Sequence, residues 1–321
     1  PTRPAPPPPA PLPPNITPPP GANTPTAASV VALGRVLFYD KQLSFNNTIS
    51  CASCHQADNA FADSNRFSKG FSDGLTTAHS MRLINLRNYQ PGRMFWDKRA
   101  ASLEAQATVP LTHPVEMGFD ASHGGLNALL VKMRAISYYP AFFRAAYGNT
   151  TINTARIQQA LAQFQRTIVS TNSAWDTGFA ANFDARLPDR GVNKPIATFT
   201  VQENRGRELF MARPPQGVNC AACHAPPSFA LTGNSRSNGL DAAERRIFKS
   251  PSLKSVALAG AFMHDGRFSS LEQVVEHYNS GVKLGPALDN RLRTRNGQPR
   301  RLNLSEDDKA ALVAFLKTLT D

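Results

Sequence analysis

The chain has 321 residues, long enough for two domains, and 41% of them are hydrophobic, so packed cores are within reach. No apolar run approaches the length of a membrane span. The formal charge of +12 comes without a basic helix or the aromatic platform of a nucleic-acid module, so the charge points to acidic protein partners and not to nucleic acid.

Residues 1–25 are dominated by proline and read as an extended linker or tether without chemistry of its own. The chain starts at Pro1 inside this stretch, as a mature export product with its signal peptide removed would. A first helix follows, on which Val30, Leu33 and Leu37 share a face, ending at Phe38-Tyr39-Asp40. After Cys51 and Cys54, residues 56–80 are rich in Gly, Ser, Asp and Asn and predict a long loop. Helical patterns return over 102–108, 126–134 and 153–170. The last has Ile157, Leu161, Phe164 and Ile168 on one side. Residues 171–200 show no sustained periodicity and mark the junction between domains.

A helix over 201–211 then leads to Cys220 and Cys223. Each half therefore repeats one plan: a helix, a cysteine pair, a long loop and later helices. A short helix over 270–279 aligns Leu271, Val274, Val275 and Tyr278. The final helix starts from Ser305 as N-cap, with acidic residues in its first turn and Leu312, Phe315, Leu316 and Leu319 as its buried stripe.

All four cysteines lie in two Cys-x-x-Cys pairs, each followed at once by histidine: Cys51, Cys54, His55 and Cys220, Cys223, His224. Two thiols one turn apart can bond both vinyl groups on one edge of a porphyrin, which leaves the next residue under the iron as proximal ligand. A zinc site would have to join cysteines from opposite halves of the chain and leave both histidines unexplained. A redox dithiol would not occur twice with the same trailing histidine. Two covalently bound haems c are thus expected, with His55 and His224 as metal ligands. Covalent attachment happens outside the cytoplasm, so a periplasmic location follows. The fold expected is mainly α, with two cytochrome c-like haem domains packed together and few strands. The N-terminal haem domain would span 26–170 and the C-terminal one 171–321.

What fills the other face of each iron separates a carrier from a reactive site. For the second haem, Tyr278 lies in an apolar stripe. An ordinary core tyrosine is the commoner reading of that pattern, with Met263, His264 and His277 as other candidate ligands. For the first, the loop offers Phe67 and Phe71 but no ligand before His79. Glu116 stands in an apolar, proline-containing setting where burial would suit it to proton transfer. A surface or capping carboxylate is the plainer alternative.

Taken together, seven segments resemble the bacterial di-haem cytochrome c peroxidases, and within them the MauG-like branch, from about residue 27 to the end. They are Leu37-Phe38-Tyr39-Asp40, the two Cys-x-x-Cys-His motifs, Phe95-Trp96-Asp97-Lys98-Arg99-Ala100 running on into Leu103-Glu104-Ala105-Gln106-Ala107, Pro114-Val115-Glu116-Met117-Gly118, Met263-His264-Asp265-Gly266-Arg267-Phe268, and Val275-Glu276-His277-Tyr278-Asn279-Ser280-Gly281. The resemblance implies that Glu116 is the acid–base group over the peroxide-binding haem. It places Gln106 and Pro110 beside Glu116, and makes Trp96 the electron bridge between haems. Tyr278 falls at the axial position of the second haem, where true peroxidases carry methionine and the MauG-like branch tyrosine. Phe71 stands where typical members carry a histidine that caps the first haem until reduction. An interdomain calcium is common in the family, and His79 matches its asparagine. MauG's relay tryptophan before the second haem motif is replaced here by Val218 and Asn219.

Three functions are expected in order. The first is peroxide-dependent oxidation of a secreted partner protein, at tryptophan, with two oxidising equivalents shared across both haems. The second is reduction of hydrogen peroxide with electrons from a small cytochrome or copper protein. The third is electron carriage without peroxide chemistry.

Overall fold

The structure is a computed structural model that describes residues 28–89, 92–214, 216–230 and 234–321; the linker expected over 1–25 lies outside the described residues. Ten α-helices are present among these residues. In the first half they are α1 (Ala28–Tyr39), α2 (Cys51–Cys54), α3 (Leu103–Ala107), α4 (Gly125–Ala135), α5 (Tyr138–Tyr147) and α6 (Thr154–Arg166). In the second they are α7 (Ala174–Asn182), α8 (Val201–Met211), α9 (Leu271–Glu276) and α10 (Glu306–Lys317). β-pairing among the described residues is confined to isolated bridges, so the mainly helical expectation holds.

One helix crossing organises each half. At Gly34 of α1 a side-chain carbon would stand 1.9 Å from the carbonyl oxygen of Ala160 in α6 and 2.8 Å from Phe164 Cβ. At Gly206 of α8 it would stand 1.9 Å from the carbonyl oxygen of Ala311 in α10 and 2.8 Å from Phe315 Cβ. Only glycine lets the two backbones touch, so the same crossing is built twice. Around the first gather Leu33, Leu37, Phe38, Ile157, Leu161 and Phe143; around the second gather Trp175, Phe210, Phe229, Leu312 and Phe315.

The loops repeat as well. After each Cys-x-x-Cys-His the chain folds back on itself, with Gln56 pairing Ala62 and Ala225 pairing Ala230. Left-handed Asn85 and Ser255 each introduce a 3-10 turn, Leu86–Asn88 and Val256–Leu258. Met94 then pairs Ala100, and Phe262 pairs Phe268. These second bridges hold Trp96 and His264 at equivalent places in the two halves.

Several helices differ from their sequence patterns. α6 is shorter than 153–170 because Asn153 caps it, its side chain accepting from Arg156 N at 3.0 Å, and because it closes at Thr167. The pattern over 270–279 splits into α9 and a π-helical turn, His277–Gly281. Helix α5 was not expected, and α7 falls inside the stretch that looked aperiodic. Four of the first six α7 residues, Trp175, Asp176, Gly178 and Phe179, are buried, so no apolar stripe alternates with a polar face. Ser305 caps α10 as expected, accepting from Asp308 N at 3.1 Å.

Candidate active site

The first cysteine pair sits on a single helical turn. Ser50 N–H donates to Ser53 Oγ at 3.0 Å and Ser53 N–H to Ser50 O at 3.0 Å, which locks the turn's start. The turn brings Cys51 and Cys54 to one side, three residues apart, and His55 N–H closes it on Cys51 O at 2.9 Å. The ring then donates through Nδ1 to Phe61 O at 2.9 Å, so the lone pair is left on Nε2. Burial holds His55 below the usual histidine range and so keeps it neutral, as a metal ligand must be. Burial also pushes Cys51 up to about 12 and Cys54 up to about 11, with the Glu116 carboxylate adding to both. Glu116 thus shares the electrostatic surroundings of the thiol pair.

Glu116 is carried on a segment tied down at both ends. Met117 N–H donates to Pro110 O at 3.2 Å, and Gly118 N–H to His113 O at 3.0 Å. Across the segment, Phe45 N–H bonds Met117 O at 2.8 Å and Phe71 N–H bonds Glu116 O at 2.9 Å. His113 Nδ1 accepts from the backbone N–H of Glu116 at 3.3 Å and stands 3.7 Å from Glu116 Oε1. Burial raises the carboxyl above its ordinary range, while His113 and Arg99 pull it part of the way back. The Glu116 side chain itself is half-buried, 33% exposed. Gln106 is half-buried and leads into the Pro110 turn, its carbonyl accepting from Val109 N–H at 3.0 Å. Phe71 stands edge-on to Phe45, with ring centroids 6.3 Å apart, and against Gly118.

The second pair sits on a 3-10 turn, Cys220–Ala222, entered from left-handed Asn219, and closes in the same way. His224 N–H bonds Cys220 O at 3.0 Å, and Nδ1 is shared between Phe229 O at 3.3 Å and Pro251 O at 3.2 Å. Burial lowers His224 to about 4 and raises Cys220 to about 12. Both residues open onto an apolar cavity walled by Phe210, Leu253, Phe262, Val275, Leu312 and Leu316. Tyr278, Met263, His264 and Trp96 also line it.

His277 does not line the cavity. The π-helical turn buries its ring, and Nε2 meets Asn238 O at 3.1 Å. Met263 Sδ is engaged by Asn238 Nδ2 at 3.2 Å, and His264 stacks on Phe248 with centroids 4.0 Å apart. Tyr278 shares the cavity lining with Met263 and His264. Burial raises its phenol above the ordinary range, and the charges of Cys223 and Cys220 add to that, while Asn238 opposes it. A phenolate in this place requires a cation beside it.

Trp96 joins the two regions. Its Nε1–H donates to His79 O at 2.8 Å, and its ring stands 6.5 Å from His264. His79 is buried, and its Nδ1 bonds the carbonyls of Asn65 at 3.2 Å and Arg66 at 3.1 Å. One group in this wall escaped the sequence reading. Lys249 is fully enclosed, its Nζ 3.7 Å above the Tyr89 ring, and burial lowers it to about 7. A single lysine after Ile247-Phe248 carries no periodic signal that it will be buried.

The chain matches the family model for di-haem cytochrome c peroxidase over residues 28–183. It is 33% identical to the methylamine utilization protein MauG of Methylorubrum extorquens, over 94% of this chain and 80% of that one. The chain belongs to the di-haem cytochrome c peroxidase family. It is also 29% identical to cytochrome c551 peroxidase of Nitrosomonas europaea, over 93% and 82% of the two chains. A solved MauG-like protein associated with microbial copper homeostasis superposes with a TM-score of 0.75 at 29% identity, covering 97% of this chain and 95% of that one.

Family membership implies two haems c, and the residues fit them. Each half offers two thiols one turn apart and a half-buried histidine, its pKa lowered by desolvation, whose Nδ1 is already committed to a backbone carbonyl. The second also offers an apolar cavity with a phenol in its lining. No helix among the described residues is long and apolar enough to cross a membrane.

Proposed function

We propose that this family member is a MauG-like, hydrogen-peroxide-dependent oxidoreductase that acts in the periplasm and oxidises a secreted partner protein at tryptophan. Tyr278 carries the reading. It lines the cavity of His224, falls at the axial position that the family resemblance implies, and has as its chain neighbour a His277 whose Nε2 is bonded to Asn238 O at 3.1 Å. A hard phenolate favours oxidised iron more than a thioether does. Phe71 supports it, because a phenylalanine cannot cap the first iron.

Bound at the two cysteine pairs, the haems would supply iron for reducing peroxide and for holding the two oxidising equivalents. His55 and His224 would hold the irons through Nε2, and Tyr278 would add its oxygen at the second. Glu116 accepts a proton from one peroxide oxygen and returns it to the other, so that the group that leaves is water. Gln106 and Pro110 shape the space in which Glu116 works. Trp96 links the two regions through its contacts with His79 and the second cavity. The proposal includes a division of the chain into haem domains at 26–170 and 171–321. An interdomain calcium would draw on carbonyls near Ser250 and Ser252 and would meet His79 where the family carries asparagine, with the Nδ1 of that histidine already bonded to the carbonyls of Asn65 and Arg66.

The likeness to cytochrome c551 peroxidase supports a second reading, peroxide removal with electrons from a small donor protein. The test is a haem spectrum before and after one equivalent of peroxide, followed by steady turnover with a reduced cytochrome. The proposal expects a spectral response without sustained turnover. Rapid turnover would favour the second reading. Indifference to peroxide would reduce the protein to an electron carrier.

A further inference from the structure

The end of α1 connects the first site to the surface. The Phe38 ring centroid lies 6.4 Å from that of His55 and 5.3 Å from that of Tyr39, the last residue of the helix. Asp40 follows. Its Oδ2 accepts from the hydroxyl of Tyr138 at 2.5 Å and from that of Tyr139 at 2.8 Å. These two tyrosines open α5, and their rings are 4.6 Å apart. Tyr139 is fully buried, whereas Tyr138 is 38% exposed and Tyr39 46% exposed. Phe38 and Tyr39 thus carry the aromatic contacts of the His55 imidazole to the end of α1, and Asp40, the next residue in the chain, accepts from both phenols of α5.

A phenol loses an electron readily only when its proton leaves at the same time. Burial and the Asp40 charge push Tyr138 up to about 12 and Tyr139 higher still, so both phenols keep their protons at neutral pH. Their oxidation must then send the proton to a base already in place, and Asp40 is hydrogen-bonded to both. Neither tyrosine nor Asp40 has a part in the peroxide chemistry derived above.

We propose that Tyr138, Tyr139 and Asp40 form a proton-coupled oxidation site through which small phenolic donors at the exposed edge of Tyr138 reduce the peroxide-oxidised enzyme. The inference rests on the peroxide reading given above. Hydrogen peroxide takes up two electrons and two protons and becomes two waters. Each electron comes from a tyrosine whose O–H bond breaks; the proton passes to Asp40, which hands it to solvent before the second oxidation, and the electron passes inward across Asp40 to Tyr39 and Phe38. A phenol in solution then restores the tyrosine with one electron and one proton and departs as a phenoxyl radical. Two phenols are consumed for each peroxide.

The test uses the haem-loaded protein, mixed with one equivalent of peroxide and frozen for electron paramagnetic resonance, with ring-deuterated tyrosine to identify the radical. A tyrosyl signal is expected in the wild type. It should be lost in the Tyr138→Phe/Tyr139→Phe double variant and diminished in Asp40→Asn, which keeps the cap on Gln42 N but not the base. The haem absorption change on adding peroxide should persist in both, and guaiacol oxidation should fall in both. Should the double variant fail to fold, Asp40→Asn and Tyr138→Phe alone carry the test. An undiminished tyrosyl signal in the variants, or none in a wild type whose haems respond to peroxide, overturns the inference. Haems that do not respond at all overturn the proposed function first, and this site with it.

Discussion

Trp96 hangs by its indole N–H from the backbone carbonyl of His79, at 2.8 Å. The N–H of that same His79 residue donates to His264 O at 2.9 Å, and its ring holds the loop at Asn65 and Arg66. The indole is thereby fixed between a loop of the first half and the cavity of the second. Trp96→Phe keeps an aromatic ring but removes the donor, at a cost of about 1 kcal/mol in stability. The expected outcome is that peroxide alters the absorption of only one haem in the variant, where both respond in the wild type. Stopped-flow spectra resolved into the two haem components check this, and equal responses in the variant would show another route.

Glu116→Gln should keep both haems attached and slow the reaction with peroxide by about 10²–10⁴-fold, the usual worth of a positioned proton-transfer group. Burial raises the wild-type carboxyl, and proton acceptance needs it ionised. The wild-type rate should therefore climb with pH through a midpoint above the ordinary glutamate range, and fall as pH drops below that midpoint. The glutamine variant should lack this limb. Single-turnover rates across pH decide it: an unchanged limb in the variant would assign the titration to another group.

Much of this site is local in sequence, which is why it could be read. Two cysteines and a histidine on one turn need only five residues, and α6 and α10 announce themselves by caps and apolar stripes. What escaped depends on distant partners. Helix α7 has no stripe because Trp175 packs against Phe229 and Phe315 while Asp176 meets Lys254. Helical spacing already set Tyr278 with Leu271, Val274 and Val275, and all four line the cavity; the π-helical turn that buries His277 against Asn238 O left no trace in that spacing. Lys249 is enclosed by Tyr89 and Met94, residues from the other half of the chain.

The Asp176–Lys254 pair should matter to stability well beyond a surface ion pair. The Lys254 side chain is 1% exposed, and its Nζ meets Asp176 Oδ2, with Ser173 Oγ at 2.7 Å as a second partner. Burial pulls the lysine below its ordinary range, and Asp176 restores part of it. Asp176→Ala leaves a buried cation without its carboxylate, which costs about 3–5 kcal/mol. A urea titration of the haem-loaded protein should show the midpoint falling accordingly. A loss under about 1 kcal/mol would mean that water reaches the pair and screens it.

Tyr278→His offers the sharpest division between a ligand and a core residue. Tyr278 lines the same cavity as His224 and Cys220, while its neighbour His277 is tied to Asn238 O at 3.1 Å and cannot take its place without unwinding the turn. Imidazole for phenolate is a change from a hard anionic donor to a neutral one, so the second iron should become easier to reduce and its absorption bands should shift. The first haem, held by His55 in the other half, should keep its spectrum and its reaction with peroxide. Redox titration with both haems followed separately tests this. If neither band moves, Tyr278 serves only to fill the apolar wall; if both move, the two centres are coupled through Trp96 more tightly than a single indole contact between them would allow.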